Sequence, residues 1–364
     1  MKYVAFIMAC AFTSLDTVTS SSLPSDNRDL KNRIIGGTIA NAKRYPYFTL
    51  LTIYYQSGTS FYCGGSLIHP DVVLTAAHCL DADSLDPIAQ IDALVNYTRS
   101  KAVTGLLTGF EHYRFGMTHY QHTKFDNTRL VNDIGIIFLD SPVDAVTPVN
   151  LNDNGNIPSV GDPVTVIGHG LMSNTVTTSQ FAKYLMEVSV PVVSFQDCND
   201  KNSYQGTIVN KSMICAGAST GGKGSCNGDS GGPWIIRGKS ATQDLQVGIV
   251  SFGSDKGCSI INYPSVFTRV SNYKQWIQDM ICQYSNFKPT ICSNAAQPTS
   301  TKPSTIISET VKPPTRKPRP TSRPTRTPTK TKRRTKPPTL EPTLQPTESP
   351  IIPSAPVNPP LLAP

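Results

Sequence analysis

The chain has 364 residues and a formal net charge of +8, with 38% hydrophobic and 16% charged residues, so it is long enough to bury a sizeable core and to hold two or three domains. The charge is not evenly spread. Between Pro298 and Pro364 lie 18 of the 30 prolines and 12 Lys/Arg against 3 acids, without an aromatic residue or a cysteine; the first 297 residues therefore balance to about −1, so the basic charge says nothing about the body and any inference about polyanionic partners belongs to the tail alone.

At the N-terminus Met1-Lys2-Tyr3 leads into VAFIMACAF and then into small polar residues near Ser20. A positive start, a short apolar run and a small-residue site are expected of a secretory signal peptide, here residues 1–20. Nine apolar residues are under half of the ~20 that a spanning helix needs, and no other stretch is longer, so no transmembrane segment is expected. Removing the signal removes Cys10 and leaves eight cysteines in an oxidising compartment, where disulfides are expected. No Cys-x-x-Cys spacing points to zinc, and neither a metal nor a cofactor is expected.

Residues 21–33 are polar and stop where IIGG begins. From Ile34 to about Cys282 come short β-branched and aromatic runs: YFTLLTIYY, GSLIHPDVVLTAA, IGIIFL, PVTVIGHG, YLMEVSVPVV and QVGIVSF. Glycine, proline, asparagine and serine separate them, which predicts an all-β sandwich or barrel. VVLTAAHC sets His78 behind a strand and two alanines small enough for an imidazole to pack on backbone. His69, His112, His119, His122 and His169 have no such setting, and His119-x-x-His122 is not read as a metal pair. NDIGIIFL puts Asp133 at the mouth of an apolar run, where a desolvated carboxylate can hold an imidazole in one tautomer. Sequons at Asn96 and Asn210 are candidate glycosylation sites.

GSCNGDSGGPW, residues 224–234, surrounds one hydroxyl with small residues. A serine is a poor nucleophile at its free pKa and needs a base that is oriented by a third group. The glycines let backbone approach a substrate carbonyl, so the N–H groups of Gly228 and Ser230 are the candidate oxyanion hole. Further on, SNYKQWIQDMICQY repeats apolar residues at Tyr273, Trp276, Ile277, Met280 and Ile281, which predicts a helix capped by Ser271. The tail, 298–364, cannot bury enough apolar surface to offset its ordering entropy and is expected to be disordered or PPII-like. Its 11 Lys/Arg between 312 and 336 predict weak, salt-sensitive attachment to a polyanionic surface; a spacer or O-glycosylated stalk is the other reading.

IIGG, TAAHC, NDIGIIFL, GDSGGPW and SFG…YPSVFTRV occur in this order, and from Ile34 to Tyr284 the chain resembles the chymotrypsin-like (trypsin-fold) serine peptidases. The resemblance implies two six-stranded antiparallel β-barrels with a C-terminal helix, and an active cleft between the barrels. It implies His78, Asp133 and Ser230 as base, orienter and nucleophile, with Ser251 supporting the aspartate. It also implies the pairs Cys63–Cys79, Cys198–Cys215 and Cys226–Cys258, which leaves Cys282–Cys292 to close an extension over 285–297. Phe252 and His169 depart from the family, which usually carries tryptophan at both positions. The stretch from His78 to Asp133 is longer than usual, and its aspartates form no calcium pattern.

By the same resemblance Gly224 is the floor of the substrate pocket and Gly253 and Ser265 its walls. Without a carboxylate there, an arginine or lysine would be buried unpaired at a cost of several kcal/mol; a large apolar side chain is expected before the scissile bond. Cleavage after Arg33 would make 21–33 an activation propeptide and free the Ile34 amino group to pair with Asp229. A glycine-floored pocket is poorly suited to that cut, so a separate trypsin-like activator is expected. The reading is a secreted, extracellular, monomeric endopeptidase acting on proteins or peptides. The alternative is an inactive protease-fold binding or inhibitor protein, but such relatives lose one of the three residues and this chain has all three.

Overall fold

The computed structural model describes residues 35–82, 85–99, 111–171 and 181–294. The expected signal peptide, the propeptide with Arg33 and Ile34, and the tail at 298–364 lie outside the described residues. A two-residue strand, β1 (Thr38–Ile39), leads into two barrels.

The first barrel is built from β2 (Phe48–Tyr55), β3 (Ser60–His69), β4 (Val72–Thr75), β5 (Ile88–Val95), β6 (His112–Gln121) and β7 (Gly135–Leu139). They close in the order β2-β3-β4-β7-β6-β5, every neighbour antiparallel. In FTLLTIYY the two-residue period sends Leu51 and Ile53 into the core and turns Leu50, Thr52 and Tyr54 outward. β4 and β7 are buried at every residue, which is why VVLT and GIIFL read as unbroken apolar runs. β5 and β6 were not legible as strands, because exposed residues interrupt both and HYRFGMTHYQ mixes polar with aromatic side chains.

After β8 (Asn150–Leu151) the second barrel uses β9 (Pro163–Gly168), β10 (Met186–Val193), β11 (Met213–Ala216), β12 (Pro233–Ile236), β13 (Leu245–Phe252) and β14 (Ser265–Arg269). The order β10-β11-β14-β13-β12-β9 closes through the pairing of β9 with β10. β1 pairs with β10, and β8 joins β13 in parallel. Trp234 stacks on Phe267 at 4.3 Å in its core. One turn of helix, α1 (Phe195–Cys198), precedes β11.

The C-terminal helix, α2 (Lys274–Tyr284), lays Ile277 and Met280 on the core cluster of the first barrel, with Trp276 and Ile281 at its margin. Ser271 does not cap it: a 3-10 turn over Val270–Tyr273 comes first, and the buried Ser271 Oγ has no partner among the described residues. Beyond α2, Ser285 Oγ donates to both oxygens of buried Asp71, at 2.8 and 2.9 Å, so the expected extension starts out anchored to the first barrel.

Polar contacts hold the barrels in register. Arg44, entering β2, forms two bonds to Asp244, at 2.5 and 2.7 Å, and Tyr47 donates to the same carboxylate at 2.7 Å. Ser66 of β3 donates to Gln246 of β13 at 2.7 Å. Asp244→Ala should leave Arg44 and the Tyr47 hydroxyl unpaired in the seam and lower unfolding stability by about 3–5 kcal/mol. Chemical denaturation measures this, and a loss below about 1 kcal/mol would mean that the pair does not secure the seam.

Candidate active site

His78 opens a short 3-10 turn directly after β4, and the Cys63–Cys79 disulfide ties that turn to β3. Asp133 sits just before β7, behind Asn132, whose φ of 57° lies in the left-handed region that asparagine tolerates. Its carboxylate has no solvent exposure. Oδ1 accepts the His78 backbone N–H at 2.8 Å and Oδ2 accepts His78 Nδ1–H at 2.7 Å. From the second barrel, Ser251 Oγ donates to Oδ2 at 2.6 Å and Thr268 Oγ1 to the Asp133 carbonyl at 2.6 Å. A carboxylate can only accept, so Nδ1 carries the proton and Nε2 keeps its lone pair.

Ser230 is held against the same turn from the other side. Its carbonyl accepts the Gly64 N–H at 2.7 Å, and Gly64 adjoins Cys63. Gly231 follows at a φ of 76°, and a Cβ there would lie 2.2 Å from Thr75 Oγ1, in the strand that leads to His78. Only glycine fits. Among the described residues the N–H groups of Gly228 and Ser230 have no acceptor.

Asp229 turns the opposite way, into the second barrel. It accepts Gly170 N–H at 2.7 Å and Cys226 N–H at 2.9 Å. The glycines of VIGHG make room for it, since a Cβ on Gly168 would lie 2.1 Å from Asp229 Oδ1. Burial pushes its pKa up to about 6, against the pull of the two N–H bonds, and no cation pairs with it among the described residues.

At the expected pocket floor, a Cβ on Gly224 would meet Ser259 Oγ at 2.9 Å and Ser265 Oγ at 3.1 Å, while one on Gly253 would meet nothing within 4 Å. Ser225 Oγ donates to Ser265 Oγ at 2.9 Å. Hydroxyls, not carboxylates, surround Gly224. Its N–H donates to the Ile35 carbonyl at 3.2 Å, which docks the start of the described chain beside this loop.

A family model described as Trypsin matches residues 34–277. Trypsin beta of Drosophila erecta is 32% identical over 278 residues, 76% of this chain and 98% of that protein. Brachyurin of Leptuca pugilator is 36% identical over 248 residues, 67% and 97% of the two chains, and chymotrypsin-C of Bos taurus 32% over 272 residues, 74% and 96%. The chain belongs to the trypsin family. It is a serine protease of the chymotrypsin fold.

The three cysteine pairs expected from the family, Cys63–Cys79, Cys198–Cys215 and Cys226–Cys258, are formed, and so is the extra pair left by exclusion, Cys282–Cys292. His78 lies within ligand reach of both Cys63 and Cys79, but their sulfurs are bonded to each other, which leaves no thiolate for a metal. His169 is buried where the family usually has tryptophan; its Nδ1 donates to the Ala182 carbonyl at 3.0 Å, and burial lowers its pKa. Phe252 packs edge-on against Tyr204 at 5.7 Å. His122 lies edge-on against Tyr273 and Trp276. Asn210 is exposed and Asn96 half-buried with a φ of 62°. Ser225, Ser259 and Thr268 were missed from sequence, because each acts through a loop or strand brought up from elsewhere in the chain.

Burial alone would lower the His78 pKa, but the charge of Asp133 and its hydrogen bond outweigh it and hold the imidazole above its usual 6.5. The ring is therefore neutral, and able to accept a proton, only above that raised value. In an NMR titration the His78 resonances should move with a midpoint above about 6.5, and Asp133→Asn should shift the midpoint downward. An unchanged midpoint in the variant would mean that Asp133 does not control the ring.

Proposed function

We propose that this chain is a secreted endopeptidase that cleaves through an acyl-enzyme, with Ser230 as nucleophile, His78 as base and Asp133 as orienter. The observation that carries it is the buried Asp133 carboxylate, bonded at once to His78 Nδ1 and to Ser251 Oγ. Ser230 Oγ attacks the scissile carbonyl while His78 Nε2 takes its proton. The carbonyl oxygen becomes an oxyanion received by the N–H groups of Gly228 and Ser230. The carbon–nitrogen bond breaks, and His78 returns the proton to the leaving amine. Water repeats the sequence on the ester and frees Ser230.

Names of relatives include both trypsins and a chymotrypsin, so the preference is read from this chain's own pocket. Gly224, Gly253 and Ser265 with Ser225 and Ser259 give a neutral floor, which suits a large uncharged side chain. In full-length protein cut after Arg33, a fluorogenic panel should show Tyr, Phe or Leu substrates turned over far faster than Arg or Lys ones. Ser230→Ala should lower turnover by about 10⁴-fold or more. Preference for Arg, or an active Ser230→Ala variant, would refute the reading. An inactive binding protein is disfavoured by the intact His78–Asp133–Ser251 array.

The proposal includes synthesis as a zymogen. With no cation beside it among the described residues, Asp229 is raised from 3.8 to about 6. A carboxylate raised on folding supports the fold while protonated, below about pH 4, and that support is lost as pH rises through about 6. The Ile34 ammonium freed by cleavage would supply the missing charge. The gap of about two pKa units corresponds to about 3 kcal/mol. Calorimetry should find cut and uncut protein melting together at pH 4 and the cut form higher by roughly 5–10 °C at pH 7. A pH-independent difference would exclude the pairing. Secretion and attachment of the basic tail to polyanions complete the proposal, on sequence grounds alone.

A further inference from the structure

Next to the candidate catalytic centre, the outer face of the first barrel holds a groove of about 440 Å³. Strand register builds its floor. Across β3, β2, β5 and β6 the paired residues Gly64, Leu50, Leu94 and Tyr113 form one row. Tyr62, Thr52 and Asp92 lie in the adjacent row. The walls are Tyr54, Tyr62, Tyr113 and Phe181, which are 37, 47, 38 and 50% exposed, a large amount for four neighbouring rings.

The groove opens at the reacting centre. A Cβ on Gly228 would lie 2.5 Å from Phe181 Cε1, so the Phe181 ring borders one of the two candidate oxyanion donors. Phe181 in turn meets Tyr62 edge to face at 5.9 Å. At the far end stands Asp92, the one carboxylate among the described residues that line the groove, which include no lysine or arginine. Burial first and Asp92 second push the Tyr113 phenol up to about 12, and the same two causes raise Tyr54, which puts both phenols close to this acid. A carboxylate flanked by phenol rings attracts ammonium and guanidinium groups twice over, by charge and by the ring faces.

We propose that this groove receives the leaving-group side of the substrate chain and seats a lysine or arginine side chain between Asp92, Tyr54 and Tyr113. The inference rests on the peptidase reading and names what that site recognises beyond the scissile bond. Position follows from strand spacing. Gly64, bonded to Ser230, is two strands and two residues away from Asp92, or about 12 Å at ~4.8 Å per strand and ~3.3 Å per residue. An extended substrate covers that distance in three to four residues, so the basic residue is the third or fourth after the cut.

The test uses full-length protein cut after Arg33 and two internally quenched peptides, which differ only in lysine or glutamine at the third and fourth leaving-group positions. At low salt kcat/KM should favour the lysine peptide by about three- to tenfold. The ratio should shrink with added salt and approach unity in Asp92→Asn. Equal rates in the wild type, or a ratio that survives Asp92→Asn, would overturn the proposal. A chromogenic amide that ends at the scissile bond reports the peptidase reading separately. If that amide is not hydrolysed, the peptidase reading fails, and anisotropy with the two fluorescein-labelled leaving-group peptides decides the groove by the same ratio.

Discussion

The buried carboxylate of Asp133 is the constraint on which the rest of the structure depends. An isolated charge without solvent exposure costs several kcal/mol unless its oxygens are fully bonded. Here the donors come from two places: the backbone and ring of His78 in the first barrel, and Ser251 in the second. Neither barrel satisfies the carboxylate alone. Docking of the barrels and orientation of the imidazole are therefore one event. The Arg44–Asp244 and Ser66–Gln246 contacts stabilise the same seam with groups that have no part in the chemistry.

A second buried acid obeys the opposite logic. Asp229 is next to Ser230 in sequence but has only two backbone N–H donors and no cationic partner among the described residues. Burial then dominates and raises its pKa, whereas at His78 burial is the largest single influence but the Asp133 charge and hydrogen bond together outweigh it. Two carboxylates of one fold thus differ in what completes them. One is satisfied by groups already in place. The other has room, made by Gly168 and Gly170, and no cation among the described residues.

The surroundings of Ser230 are chemically asymmetric. On one side Gly224 is ringed by the hydroxyls of Ser225, Ser259 and Ser265, a polar but uncharged floor. On the other, four exposed rings lead from Gly228 towards Asp92, the one acid among the described lining residues. Hydroxyls discriminate by shape and hydrogen bonding, while a carboxylate beside aromatic faces discriminates by charge. A chain bound across both would be read by different physics on the two sides of one bond.

Local signals determined a good deal. Turn-punctuated β-branched runs marked seven of the strands, and an i, i+3, i+4 stripe marked α2. His78, Asp133 and Ser230 were candidates from their local settings, but their joint roles and three of the cysteine pairs came from the family resemblance, the fourth pair by exclusion. What remained hidden was set by contacts between residues far apart in the chain. β5 and β6 escaped notice because closed-barrel pairing holds them in place and their outward residues alternate irregularly. Ser271 looked like a cap, yet packing under the preceding 3-10 turn moved the helix start to Lys274. Ser259 and Thr268 acquired their places only when loops and strands converged on Gly224 and Asp133. Asp92 became part of a groove only through the register of four strands. A sequence states which groups are present and their local preferences; which of them share a low-dielectric space is decided by tertiary packing, because burial and partner distance, not spacing along the chain, set the energies.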